Sequence, residues 1–224
     1  MASLSNELMN LRRLLLTMAA EVEQRVNQAL DGLLKHDLRS AEAVREGDDP
    51  IDQLDVDIES ECATILALHQ PVASDLRYVM ASLRINADLE KIADLARGIA
   101  KKVIKLEYLK PLERPPVLQH IAGSLRSMVA DTMQALADGD KDLALQVRGS
   151  DKNIDRQYKE LMTWAAQQMA VPGHDPKALL DVIGIVRTIE RIADLCANIA
   201  ESVVFAANGT IVRHQPVEQD EPRT

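Results

Sequence analysis

Glu90-Lys91-Ile92-Ala93-Asp94-Leu95 returns one hundred positions later as Glu190-Arg191-Ile192-Ala193-Asp194-Leu195. The pairing extends to Ile85 with Ile185, Ile99 with Ile199 and Ala100 with Ala200. Unrelated helices share only a few positions over such a window, so the chain is read as an internal duplication. Each copy sets a Glu and an Asp four residues apart, one turn along a single helical face.

Which face that is decides what the pair can do. On a helical wheel Val72, Leu76, Val79, Met80, Leu83 and Ala87 fall with Glu90 and Asp94. Arg77, Arg84, Asp88, Lys91 and Lys102 collect on a narrow stripe that reads as solvated. Ile85, Leu89, Ile92, Ala96 and Ile99 hold a third side. In the second copy Glu190 and Asp194 lie with Leu179, Ile183, Val186 and Val204, while Lys177, Thr188, Arg191 and Ser202 form the polar stripe. Carboxylates on an otherwise apolar face are costly unless paired, protonated or bound to a metal.

The 224 residues can bury a sizeable core, as one large domain or two small ones. Aromatic residues are nearly absent, and Ala, Leu, Ile and Val supply the apolar content without strand-type alternation. That composition predicts an all-α fold. A formal net charge of −9 argues against nucleic-acid binding as the main task. Cys62 and Cys196 are too few and too distant for a disulfide framework or a zinc knuckle, and read as buried thiols of a reducing cytoplasm. The first helix lacks a signal peptide's apolar core, and no apolar run reaches spanning length.

Leu4, Leu8, Leu11, Leu15, Met18, Val22, Val26, Ala29 and Leu33 mark one long first helix with a narrow seam. His36-Asp37 is its break, with Asp37 as the next N-cap. A second helix runs to about Gln70, bent or briefly interrupted at Gly47-Asp48-Asp49-Pro50. Pro71 is expected to open the third, which carries the first carboxylate pair. Pro111, Pro115 and Pro116 punctuate the midpoint. The fourth and fifth helices meet at Gly139-Asp140, and the sixth follows Pro172-Gly173 and Pro176 and ends at Asn208-Gly209. The expected organisation is two tandem antiparallel three-helix bundles, 1–110 and 111–208, packed as one body, then a polar and disordered tail, 209–224.

A salt-bridged surface stripe is the plain explanation for one carboxylate pair, because Arg97 and Lys101 complete an i,i+3/i+4 ladder. The second copy weakens it. Ala197 and Glu201 replace those cations, yet Glu190 and Asp194 stay. Glu90, Asp94, Glu190 and Asp194 are therefore candidate metal ligands for a hard or borderline cation whose identity the carboxylates do not fix. A di-iron carboxylate enzyme is the alternative, but it needs Glu-x-x-His on two helices. His36, His69, His120, His174 and His214 all lack a Glu three positions earlier. Asp52 and Asp155 match across the halves as helix caps or as further metal ligands, and the sequence does not choose.

The doubled Glu-x-x-x-Asp motif, with Gly47-Asp48…Ile51-Asp52, Gln70-Pro71…Asp75-Leu76-Arg77 and Asn208-Gly209…Arg213-His214, resembles the PhoU proteins of bacterial phosphate transport over nearly the whole chain. One departure is visible: Ala93 and Ala193 stand where that family usually has Gly. The resemblance implies a six-helix cytoplasmic protein, usually a homodimer, whose motifs bind divalent or ferric ions such as iron or zinc in some members and none in others. It implies no enzymatic activity. It implies a negative regulator of the phosphate-starvation response and of phosphate uptake, linking the ATPase subunit of the phosphate ABC transporter (PstB-like) to a sensor histidine kinase (PhoR-like). The narrow seam of the first helix and the two apolar sides of the third also suit a dimer.

Overall fold

A computed structural model describes residues 3–47, 49–109 and 115–212. Every regular element among them is a helix: α1 (Leu4–Lys35), α2 (Leu38–Glu46), α3 (Asp49–His69), α4 (Ala73–Glu107), α5 (Pro116–Asp138), α6 (Lys141–Met169) and α7 (Pro176–Asn208). Pro111, Arg213, His214 and the tail from 213 to 224 lie outside the described residues; 209–212 continue past α7 without helix.

Local chemistry sets the helix ends. His36 turns α1 off with a left-handed φ of 56°, and Asp37 caps α2 by accepting the Ser40 N–H at 3.2 Å. Gly139 ends α5 at φ 64°, a conformation without penalty only for a residue lacking Cβ. Asp140 then caps α6 through the N–H groups of Asp142 and Leu143. Gly209 closes α7 in the same left-handed way, its N–H donating to the Phe205 carbonyl at 2.9 Å.

The second helix is interrupted where expected: α2 ends at Gly47 and α3 starts at Asp49, with Pro50 in the first turn where its missing N–H is harmless. The first half thus has four helices and the second three. The third long helix starts later than expected. Pro71 is buried in the turn before it, Val72 is the N-cap, and Gln70 and Ala73 both take positive φ.

The two long motif helices form the centre. Four contacts fix their antiparallel register: Arg77 lies against Gly209, Arg84 over the Phe205 ring, Lys102 against Gly184, and Lys105 on Asp181 at 2.8 Å. Helices α2 and α3 cover α4 in the first half, and α5 and α6 cover α7 in the second. On the inner side α1 packs on α4, α5 on α7, and α1 on α5, so the halves make one body. Leu89, Ile92, Ile99, Ile189, Ile192 and Ile199 are fully buried. Each such side chain contributes about 1.5–3 kcal/mol by leaving water.

The stripe expected to be solvated is partly a helix–helix seam. Thr188 and Ser202 are buried, and their hydroxyls donate to the carbonyls of Gly184 (2.8 Å) and Asn198 (3.1 Å) one turn back. Conversely, Val72, Leu76 and Met80, expected against a neighbour, are exposed at 73, 36 and 39%. Helices α1, α2, α3 and α7 surround α4 but leave this flank open.

Cutting Ile92 to Ala should cost about 2–5 kcal/mol, because the core around a fully buried side chain collapses only partly. Ala87→Leu on the open flank should stay within about 0.5 kcal/mol. Urea unfolding followed by circular dichroism measures both.

Candidate functional site

Helix α4 carries Glu90 half-buried and Asp94 exposed at its surface; α7 repeats the pattern with Glu190 and Asp194. The four predicted residues thus form two separate pairs, one per half. Each pair faces carboxylates of the neighbouring outer helix. Burial, then the charges of Asp94, Asp55 and Asp52, raise the pKa of Glu90. Asp55 is held in place by the Asn86 amide, which donates to its carboxylate at 2.6 Å and to its backbone carbonyl at 3.1 Å. In the second half Asp151 and Asp155 of α6 stand beside Glu190 and Asp194. Burial, then Asp155 and Asp194, push Asp151 up to about 6, and its Oδ1 is buried without a hydrogen-bond partner. Asp194 is raised by burial, then by Glu190 and Asp155.

Asp52 and Asp155 therefore lie beside the motif pairs, whereas Asp55 and Asp151 were not anticipated. The signal for Asp151 was in the sequence. Asp151 and Asp155 sit one turn apart on α6, and their Asp-x-x-x-Asp spacing matches that of Asp48 and Asp52 in the sequence 103 positions earlier; Asp48 lies outside the described residues.

Lys91 acts on Glu90 and Arg191 on Asp194, each more weakly than burial and the neighbouring carboxylates. Arg97 reaches Asp94 only at 4.0 Å, with Asp94 61% exposed, so the pair is weak. Glu201, which replaces Lys101 in the second copy, is bound to Arg148 of α6 at 3.0 Å and does not join the cluster. Among the described residues no three His, Cys, Asp or Glu side chains converge closely enough to hold a metal ion. The clusters offer only oxygen donors, with mutual repulsion and an orphaned Asp151 oxygen that a cation would relieve. That donor set fits a hard cation.

The remaining chemical candidates are quiet. Cys62 and Cys196 are buried free thiols, each pushed up to about 12, first by burial, and so are poor nucleophiles. No described helix is long and apolar enough to cross a membrane.

A family model described as the PhoU domain matches this chain twice, at residues 15–103 and 118–203. A Pseudomonas putida protein named phosphate-specific transport system accessory protein PhoU homolog is 39% identical over 214 residues, covering 95% of this chain and 84% of its own length. The crystal structure of PhoU from Pseudomonas aeruginosa superposes with a TM-score of 0.87 at 38% identity, covering 93% of this chain and 100% of that one. The crystal structure of the phosphate transport system regulatory protein PhoU from Streptococcus pneumoniae gives 0.85 at 30% identity, covering 94 and 99%.

The raised Asp151 has a consequence for stability. Between its ordinary value of 3.8 and about 6 the folded chain holds a proton that the unfolded chain releases. Metal-free protein should therefore lose stability as pH rises through that window. Glu90 and Asp194 act in the same direction. Asp151→Asn should flatten the slope, as read by urea unfolding in chelator at several pH values. An unchanged slope would show that Asp151 is not held protonated.

Proposed function

From the premise that the chain belongs to the PhoU family, we propose that it is a negative regulator of the phosphate-starvation response and of phosphate uptake. It acts in the cytoplasm as an adaptor between the ATPase subunit of the phosphate ABC transporter and a sensor histidine kinase, without enzymatic activity of its own. The relatives' names, accessory and regulatory protein of phosphate transport, support this reading. The observation that carries the metal part is the twice-built carboxylate cluster: Glu90 and Asp94 beside Asp52 and Asp55, Glu190 and Asp194 beside Asp151 and Asp155. We propose that each cluster binds a divalent or ferric ion. The ion would bring the carboxylates together and cancel their repulsion, stabilising the fold by mass action. The exposed apolar flank of α4, with Val72, Leu76 and Met80, supports a homodimer.

Cells lacking the protein should express starvation genes even in abundant phosphate, and the wild-type chain should restore repression. A reporter indifferent to the deletion would sink the regulatory reading. In purified protein, Glu90→Gln with Asp94→Asn should lower metal content by about half, if the sites are independent. It should also remove part of the metal-induced rise in Tm while the helical signal persists. Unchanged metal content would return the pairs to plain surface charge. The same purified protein should scatter light as more than the 24.8 kDa monomer.

A further inference from the structure

The motif does two things in each copy. Its Glu and Asp turn toward the outer helix, while the residue after the Glu, Lys91 or Arg191, points away from them. On the wheel Lys91 lies with Arg84 and Lys102, the residues whose contacts with Phe205 and Gly184 place them along α7. Arg191 occupies the equivalent position on α7. Since α1 and α5 cover the inner side of the α4–α7 pair, these residues line its outer side. The register brings Lys91 and Arg191 near the middle of that face. Arg77 and Lys177 extend it at two corners.

The result is a run of cations on a protein of net charge −9. Arg84, Lys91, Lys177 and Arg191 are exposed; Arg77 and Lys102 are half-buried along their stems. Three carboxylates of the face have cation partners, and the motif pairs border it. Asp88 stands 3.8 Å from Lys91, Asp181 is bound by Lys105, and Glu201 by Arg148. The floor is apolar in places. Leu95 and Leu195 are half-buried along it, and Phe205, Ile211 and Val212 line a depression at the Arg84 end, Ile211 being 64% exposed.

We propose that this outer face of the α4–α7 pair docks an acidic, amphipathic helix of a partner protein. The inference deepens the adaptor reading, on which it rests, by naming the surface and the chemistry of the partner. Shape and charge favour a helix. From Arg77 to Lys102 the run spans about 38 Å at the helical rise, much longer than a phosphate or a nucleotide. The groove between two antiparallel helices suits the apolar side of a third, with its carboxylates directed at the flanking cations. A flat anionic membrane fits less well, because the carboxylate clusters border the run on both sides and would be pressed against it. A nucleic acid meets the same borders and the negative charge of the whole protein.

The test uses the full-length protein and a fluorescein-labelled synthetic helix of about 21 residues, Leu on one face and Glu on the other. Fluorescence anisotropy should show saturable binding at about 50 mM salt that weakens strongly by about 500 mM. Lys91→Glu with Arg191→Glu should weaken it by about tenfold or more, and the milder Lys91→Gln with Arg191→Gln by less. Arg13→Glu with Arg39→Glu makes the same charge change elsewhere and should leave binding intact. Circular dichroism confirms that the variants fold. The proposal falls if the peptide does not bind, if both charge reversals weaken it equally, or if vesicles with about a quarter phosphatidylglycerol bind through Lys91 and Arg191 while the peptide does not. Because the starvation reporter tests regulation separately, a lost face with intact repression would overturn this surface and leave the adaptor standing.

Discussion

The antiparallel packing of α4 on α7 is the constraint that the rest of the molecule obeys. Both helices descend from one duplicated sequence, so residues one hundred positions apart meet a common pseudo-two-fold arrangement. The apolar sides of both helices share one interior, roofed by α1 and α5. Their seam admits groups that need little from a partner, the Gly184 backbone and the Thr188 and Ser202 hydroxyls bonded within their own helix, and it pairs the buried carboxylate of Asp181 with Lys105. What cannot enter either region is pushed outward. The carboxylates go to the flanks and the long cations to the outer face, where Arg84 and Lys102 lay their stems over α7 and keep their charge in water.

Much of this was legible in the chain because it is local. A left-handed residue followed by a capping Asp at His36-Asp37, and Gly followed by Asp at Gly139-Asp140, end helices through bonds that span three or four residues. The duplication was legible for the same reason. Two kinds of feature were not. Polarity on a wheel does not imply solvent contact, as Thr188 and Ser202 show: a hydroxyl that donates to the carbonyl one turn back carries no unmet demand into the interior. Nor does a wheel give exposure: it shows that the side of Val72, Leu76 and Met80 is apolar but not whether a neighbour covers it.

The carboxylate clusters lie between these cases. Each motif pair could be placed on one face from spacing alone. The partners that make a cluster, Asp52 and Asp55 on α3 and Asp151 and Asp155 on α6, depend on where another helix lies. The Asp-x-x-x-Asp spacing was present in the sequence but gained meaning only beside Glu190 and Asp194. The departure at Ala93 and Ala193 is placed by the structure. Both are buried, so the added methyl groups belong to the packing beside each motif Asp.

Charge then links the clusters to the outer face. A carboxylate group raised by burial and by its neighbours sits where further negative charge is costly, and that cost falls when a cation arrives. Lys91 partly offsets the charge at Glu90, and Arg191 that at Asp194, while both project onto the outer face. The same two cations therefore stand in the field of the clusters and in the proposed path of an acidic partner. Filling a cluster with a metal ion would free them from that local attraction and strengthen the pull on a partner's carboxylates. By reciprocity, a docked acidic helix that neutralised Lys91 and Arg191 would deepen the negative potential at the clusters and tighten the hold on a cation. An ion at the proposed clusters and a helix on the proposed face would thus be coupled through electrostatics alone, with no change of fold required.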